Sequence, residues 1–330
     1  MAPNDIVLLG AGFSHNWDAP LANEIATSLV SQVGNDAYLQ KLLTQHEKSF
    51  ENALSQVHQE CISSPSSPEV RERFDKLQTV IDVMFENLNA ALERRIAFEF
   101  SQERLFSVRE FLSRFDAIFG LNQDLLLELH YEDHVLLANS RRWDGLQKPG
   151  MNAVQNPSLI GRKRRWVPAS SPFTVAPRLQ PYFKMHGSSN WYTNDGRNLL
   201  VMGGNKNPTI RQFDVLRWYY DQFKRYLSRP DTRLMVIGYS FADQHINDAI
   251  VAAWRNRSLK GMFLVDPAGR AVLNNPMRSL PASMHNELED VHSLGGSTRL
   301  ISATFAGDEF EHPRFIDFFR RSLANAGNAP

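Results

Sequence analysis

Ile6-Val7-Leu8-Leu9-Gly10-Ala11-Gly12 decides the fold. Four aliphatic residues with nothing polar among them suit a strand covered on both faces, the situation of a strand inside a parallel sheet. Two glycines directly after it suit a tight strand-to-helix turn. Pro20 then opens a helical pattern. Leu21, Ile25, Leu29 and Val33 recur at helical spacing, and Gly34 stands where a helix ends. Strand, glycine turn and helix in that order form the first unit of an α/β domain.

Outward from this unit the same alternation returns. Asp116 to Leu121, Tyr182 to Met185, Leu234 to Ile237 and Met262 to Val265 are predicted strands, and Leu300-Ile301 is placed in a last one. Leu125-Leu126-Leu127 starts a helix or turn. Phe213 to Leu227, Asp243 to Arg255 and Phe315 to Leu323 are predicted helices. Trp191-Tyr192-Thr193 and Leu199 to Met202 flank Asn194-Asp195-Gly196-Arg197, a hairpin signal. From Asn35 to Arg109 the pattern is helical, with a break at Ser63-Ser64-Pro65-Ser66-Ser67-Pro68. Beyond it Phe74, Leu77, Ile81, Phe85, Leu88 and Leu92 step by three or four along one long amphipathic helix. Arg141 to Pro181, with the basic run Arg162-Lys163-Arg164-Arg165, reads as a long irregular loop. The run is a solvated face or a site for phosphate or a partner. The expected architecture is a single domain over residues 1–330: an α/β, Rossmann-like, doubly wound parallel sheet with a helical insertion at 35–109.

Composition narrows the function. Lys and Arg number 36 and Asp and Glu number 36, a net charge of +0. That balance argues against a protein held globally on nucleic acid or an anionic membrane, so no direct nucleic-acid binding and no membrane association are expected. Cys61 is the one cysteine, which excludes an internal disulfide framework and any multi-cysteine zinc site, and no metal is expected. No apolar run approaches the ~20 residues of a membrane helix, and the first residues lack a secretory pattern. A cytoplasmic protein is expected.

In an open parallel sheet, ligands bind beyond the carboxyl ends of the strands. Five polar clusters fall there: Gly10-Ala11-Gly12-Phe13-Ser14, Asn122-Gln123-Asp124, His186-Gly187-Ser188, Gly238-Tyr239-Ser240-Phe241-Ala242-Asp243, and Asp266. Each has an ordinary account as a turn, a cap or a structural hydrogen-bonder. Independent structural roles would not require all five at one edge.

Here the chain resembles the sirtuins. Gly10-Ala11-Gly12-Phe13-Ser14 with Pro20 looks like their Gly-Ala-Gly-x-Ser nucleotide loop. Asn122-x-Asp124 followed by Leu125 resembles their Asn-x-Asp segment, and Lys184-Met185-His186-Gly187 resembles the His-Gly motif of their catalytic base. Gly238-Tyr239-Ser240-Phe241-x-Asp243 is similar to the phosphate- and ribose-contacting segment, in the form of the bacterial sirtuin-like branch. The four segments keep family order and span most of the chain. The four-cysteine zinc ribbon of the deacylases is absent. Pro20-Leu21-Ala22-Asn23 also lacks the acidic and basic residues of their Pro-Asp-Phe-Arg stretch.

The resemblance implies an NAD+ glycohydrolase, with NAD+ as substrate, cleaving the nicotinamide–ribose bond and depleting NAD+ in antiphage defence. His186, Asn122 and Asp124 are its implied catalytic residues. Gly10, Ala11, Gly12, Phe13, Ser14, Gly238, Ser240, Asp243 and Asp266 would bind the dinucleotide, with Phe13 covering the nicotinamide side and Asp266 accepting from the adenosine ribose. A zinc-free protein deacylase or ADP-ribosyltransferase, and a non-catalytic NAD+ or ADP-ribose sensor, are the alternatives. A homo-oligomer, or a HerA-type ATPase as partner, is expected by family analogy, with the stripe from Phe74 to Leu92 as the contact surface.

Overall fold

Asn4–Leu9 (β1) is buried along its whole length, because the sheet around it is covered on both faces. The computed structural model describes residues 4–46, 50–94, 106–132, 142–154, 164–170, 172–194, 196, 198–201, 206–274 and 285–320. After β1 come α1 (Ala11–His15), α2 (Ala22–Gln32), α3 (Ala37–Gln45), α4 (Phe50–Ser63), α5 (Pro68–Arg94) and α6 (Val108–Leu112). The middle of the chain holds β2 (Ala117–Gly120), α7 (Leu126–His130), β3 (Gly145–Gln147), β4 (Met151–Ala153), β5 (Trp166–Pro168), β6 (Leu179–Lys184), β7 (Gly187–Tyr192) and β8 (Asn198–Leu200). The last third holds α8 (Lys206–Gln212), α9 (Asp214–Leu227), β9 (Thr232–Ile237), α10 (Gln244–Arg255), β10 (Leu259–Val265), β11 (Ser293–Ser297), α11 (Ile301–Phe305) and α12 (His312–Arg320).

Seven strands form an all-parallel sheet in the order β11-β10-β9-β1-β2-β6-β3. Ile6 is paired with Ala117 on one side and Leu234 on the other. Successive side chains on a strand face opposite ways, and the two cores follow from that. Ile6, Leu8, Leu234, Val236, Met262 and Leu264 enter one core with α9 and α10. Val7, Leu9, Met235, Ile237, Phe263 and Val265 enter the other with α6 and α12. The fold is therefore the α/β, Rossmann-like doubly wound architecture. A third core, from Ile25 and Leu29 to Ile81 and Phe85, belongs to α2–α5, and Leu88 packs against both it and the second core.

Strand order reverses at β1: β2, β6 and β3 extend one way, β9, β10 and β11 the other. The crevice at such a reversal is where open α/β sheets hold ligands.

Three expectations need correction. Leu300 caps α11 and Ile301 begins it, so neither lies in a strand. The last strand is Ser293–Ser297, paired with β10. Its Gly295-Gly296 pattern reads as a turn, yet a Cβ on Gly296 would lie 2.6 Å from the Leu264 carbonyl oxygen. The glycine serves close strand approach. Second, the stretch from 141 to 181 is not one loop. It contains β3, which extends the main sheet, and β4 and β5, which join β7 and β8 in a second sheet. Strands of three residues are too short to show a period. Third, α1 begins directly after Gly10, before Pro20.

Other readings hold: the break between α4 and α5 and the β7–β8 hairpin; the stripe of α5 at Leu77, Ile81, Phe85 and Leu92 is packed into the chain's own cores and is not left as a contact surface. Arg162 and Lys163, residues 95–105 of the insertion and the end of the terminal helix beyond Arg320 lie outside the described residues. Arg165 is exposed, with its guanidinium 4.5 Å from the Tyr192 ring centre. Among the described residues no helix is long and apolar enough to cross a membrane.

Candidate active site at the carboxyl edge of the sheet

The turns after β1 and β9 interlock through their backbones. Gly10 N–H donates to the Ile237 carbonyl at 3.0 Å, Gly12 N–H to that of Gly238 at 2.9 Å, and Gly238 N–H to that of Val265 at 2.9 Å. A Cβ on Gly238 would lie 2.4 Å from Gly12 C and Phe13 N, and its φ is +61°. A Cβ on Gly10 would lie 2.5 Å from the Gly238 carbonyl oxygen. The glycines thus serve the contact of the two turns with each other. Gly238→Ala combines a disfavoured φ with a backbone clash and is expected to cost at least about 2 kcal/mol. Urea denaturation checks this, and an unchanged midpoint rejects it.

Ser14, on α1, is 1 % exposed. Its hydroxyl accepts from Asn122 Nδ2 at 2.8 Å and lies close enough to the Asp124 carboxyl to favour its charged form. Asp124 Oδ1 also accepts the Leu126 N–H at 3.0 Å. The glycine loop and the Asn-x-Asp segment, 108 residues apart, are therefore hydrogen-bonded to each other. Parallel pairing brings them together, since Leu121 N–H continues the ladder to the Leu9 carbonyl at 2.8 Å. Burial pushes the Asp124 carboxyl up from its ordinary range, and the nearby Lys184 ammonium opposes that most strongly.

His186 follows β6 and is 2 % exposed. Gly187 turns the chain at once into β7 with φ +75°, and a Cβ there would lie 1.9 Å from the Leu199 carbonyl oxygen. One His186 ring nitrogen faces the Leu121 backbone, whereas Nε2 is buried with no partner among the described residues. A nitrogen facing a carbonyl must carry the proton, so Nε2 presents a lone pair. Burial pushes the imidazole down to about 3, with Lys206 and His245 adding to that and Asp243 opposing it. It is neutral at ordinary pH.

Asp243 stands at the N-cap of α10 but makes no cap bond with its side chain. It pairs instead with Lys206 at 3.0 Å. Burial raises the Asp243 carboxyl, but Lys206 and the two imidazoles outweigh it and leave it below the usual carboxylate range. His245 is buried with its ring centre 5.7 Å from that of His186. Its Nε2 also has no partner among the described residues, and burial lowers its pKa. Lys184, wholly buried, donates to the Asp124 carbonyl at 2.6 Å, Ser188 Oγ at 2.7 Å and Glu128 Oε1 at 2.8 Å.

The structure thus links Ser14 and Asn122 directly, with Asp124 beside them, and joins His186 to them through Leu121. Asp243 lies within electrostatic reach of His186. Ala11 and Ser240 are exposed at the same edge. Asp266, half-buried at the end of β10, accepts the Ala268 N–H at 2.8 Å through Oδ1, and burial raises its carboxyl. Phe13 does not fit its expected role as a cover. Its ring is 1 % exposed and packs edge-on to Trp17 at 5.2 Å inside the second core. An aromatic one residue before Ser14 on a short helix faces the core when Ser14 faces Asn122.

Lys184, Lys206 and His245 were missed as site residues by sequence reasoning. Lys184 carried a signal: a lysine ending a buried strand must find internal partners. His245 and Lys206 carried none, because their relevance depends on where α8 and α10 dock. Among the described residues, no group of three or more His, Cys, Asp or Glu side chains is placed to hold a metal ion. Chemically, the edge offers an imidazole nitrogen with no partner among the described residues, a buried carboxyl and an anchored amide. No protein-family model matches the chain, and no curated protein matches it in sequence.

Proposed function

We propose that the protein is an NAD+ glycohydrolase of the sirtuin-like kind, releasing nicotinamide and ADP-ribose. The reading is carried by one observation: the Asn122–Ser14 hydrogen bond, the buried Asp124 carboxyl and His186 Nε2, which has no partner among the described residues, stand at one sheet edge, beside the interlocked glycine turns. Nicotinamide departs as a neutral molecule from a cationic substrate, so its departure needs no general acid. The barrier is the positive charge developing on the ribose, and a fixed carboxylate and oriented dipoles beside the ribose lower it. Asp124 supplies that field, Asn122 orients a ribose hydroxyl or water, and neutral His186 accepts the proton. The exposed turn residues Ala11 and Ser240 take the diphosphate, and Asp266 takes the adenosine ribose through its remaining oxygen. Depletion of NAD+ in antiphage defence, in the cytoplasm, as a homo-oligomer or with a HerA-type ATPase, completes the proposal on the strength of the motif resemblance.

The test is to incubate the full-length protein with NAD+, alone and with the product of its neighbouring gene, and to follow nicotinamide and ADP-ribose by chromatography. Asn122→Ala is expected to lower the rate about 10²-fold or more. Wild-type protein without turnover, or an Asn122→Ala variant at the wild-type rate, rejects the reading. Acyl transfer to ADP-ribose from an added peptide would move it to the deacylase class.

A further inference from the structure

The stripe on α5 is apolar except where Asn89 interrupts it between Leu88 and Leu92. Asn89 is 5 % exposed. Its two polar atoms go to two separate segments, the turn into α7 and strand β7. Oδ1 accepts the Leu125 N–H at 2.9 Å, one residue beyond Asp124. Nδ2 donates to Ser189 Oγ at 3.0 Å, three residues beyond His186. The partners lie 36 and 100 residues away in sequence. The segments meet directly as well, through Ser189 N–H to the Gln123 carbonyl at 2.9 Å.

The same helix touches this region at both ends of its inner face. Seven residues earlier, Asp82 accepts from Asn198 Nδ2 at the start of β8. Three residues later, Leu92 enters the second core, and its carbonyl oxygen lies 2.8 Å from His130 Nε2 on α7. Helical spacing of seven and three puts Asp82, Asn89 and Leu92 on one face. That face lies along the carboxyl edge where the site is built.

We infer that the insertion helix α5 is a working part of the site, and that Asn89 is the positioning residue through which it acts. The side-chain amide bridges the segment of Asn122 and Asp124 to the segment that follows His186. It therefore sets the spacing between the carboxylate and the imidazole. An amide can do this because it offers a donor and an acceptor on one rigid plane. A misplacement of about 1 Å at a reacting centre can cost about 10²-fold in rate, so a small shift of α5 is felt in turnover.

The activity arm of the test rests on the proposed NAD+ cleavage; a second arm does not. Asn89→Ala puts a strong helix former into α5 and removes both bonds. Ser189→Ala removes one of them from the other side. Nicotinamide release is expected to fall about tenfold in kcat for Asn89→Ala, with KM for NAD+ within about threefold of wild type. Ser189→Ala should give a smaller loss, and the double variant should be no worse than Asn89→Ala, because both act through one bridge. Independently, amide hydrogen exchange should accelerate together in 123–128 and 187–190 of Asn89→Ala.

Wild-type kcat with both segments unchanged overturns the inference, as does faster exchange confined to α5. Strictly additive losses in the double variant overturn it as well. Were wild-type protein to release no nicotinamide, the cleavage reading would fall, and the exchange measurement alone would decide on Asn89. Were Asn89→Ala to misfold, Ser189→Ala would carry both arms.

Discussion

Replacing His186 by Ala or Gln is expected to lower nicotinamide release about 10²- to 10⁴-fold, the usual worth of a positioned base. The loss should appear in kcat, because the proposed role of His186 is in the bond-breaking step. His186→Gln keeps most of the side-chain volume and is the cleaner variant. It also reports on the environment of the imidazole. The folded protein holds His186 near 3, against 6.5 for the free side chain. Between those values the unfolded chain binds a proton that the folded chain refuses. Stability from this group is therefore complete above about pH 6.5 and is lost as pH falls toward 3. His186→Gln removes that share of acid sensitivity. Its stability relative to wild type should rise between pH 7.5 and pH 4.5, read from urea midpoints at both values. A difference independent of pH would mean that the ring is not held neutral by burial.

The second large effect is at Lys184. Lys184→Met leaves Glu128 buried without its counter-ion and is expected to cost about 3–5 kcal/mol. It also removes the ammonium closest in effect to Asp124, whose carboxyl burial already raises. The surviving folded fraction should need a higher pH for full activity. Replacing both partners, as Lys184→Met with Glu128→Leu, should recover most of the stability, because a buried ion pair gives little net stabilisation over apolar groups of similar volume. It should not restore the pH profile, since Asp124 still lacks its cation. Urea denaturation and pH–rate profiles of the single and double variants separate these effects. A single variant as stable as wild type would sink the argument.

The strands were readable because a strand buried on both faces leaves a continuous apolar run, as Ile6 to Leu9 and Leu234 to Ile237 do. The edge strands were not. Ser293–Ser297 has two glycines and one leucine, and β3, β4 and β5 are three residues each. Their extended state comes from neighbours rather than from their own composition. At the site, Ser14, Asn122, Asp124 and His186 were each legible as polar residues at strand ends, and their convergence followed from parallel topology. The direction of individual side chains was not legible: Phe13 turned inward, and Asp243 left its helix cap for Lys206.

Local patterning thus sufficed for the inner strands of the sheet, their alternating helices and the edge at which polar groups gather, since burial on two faces and strand-end turns are written in neighbouring residues. The pairings that make those groups into a site were settled by docking: Asn89 from a distant helix, Lys184 between two loops, His245 against His186. Such contacts join residues tens to hundreds of positions apart, and no short-range rule links them. Their specificity comes from buried donors and acceptors that must find partners wherever the packed elements bring them.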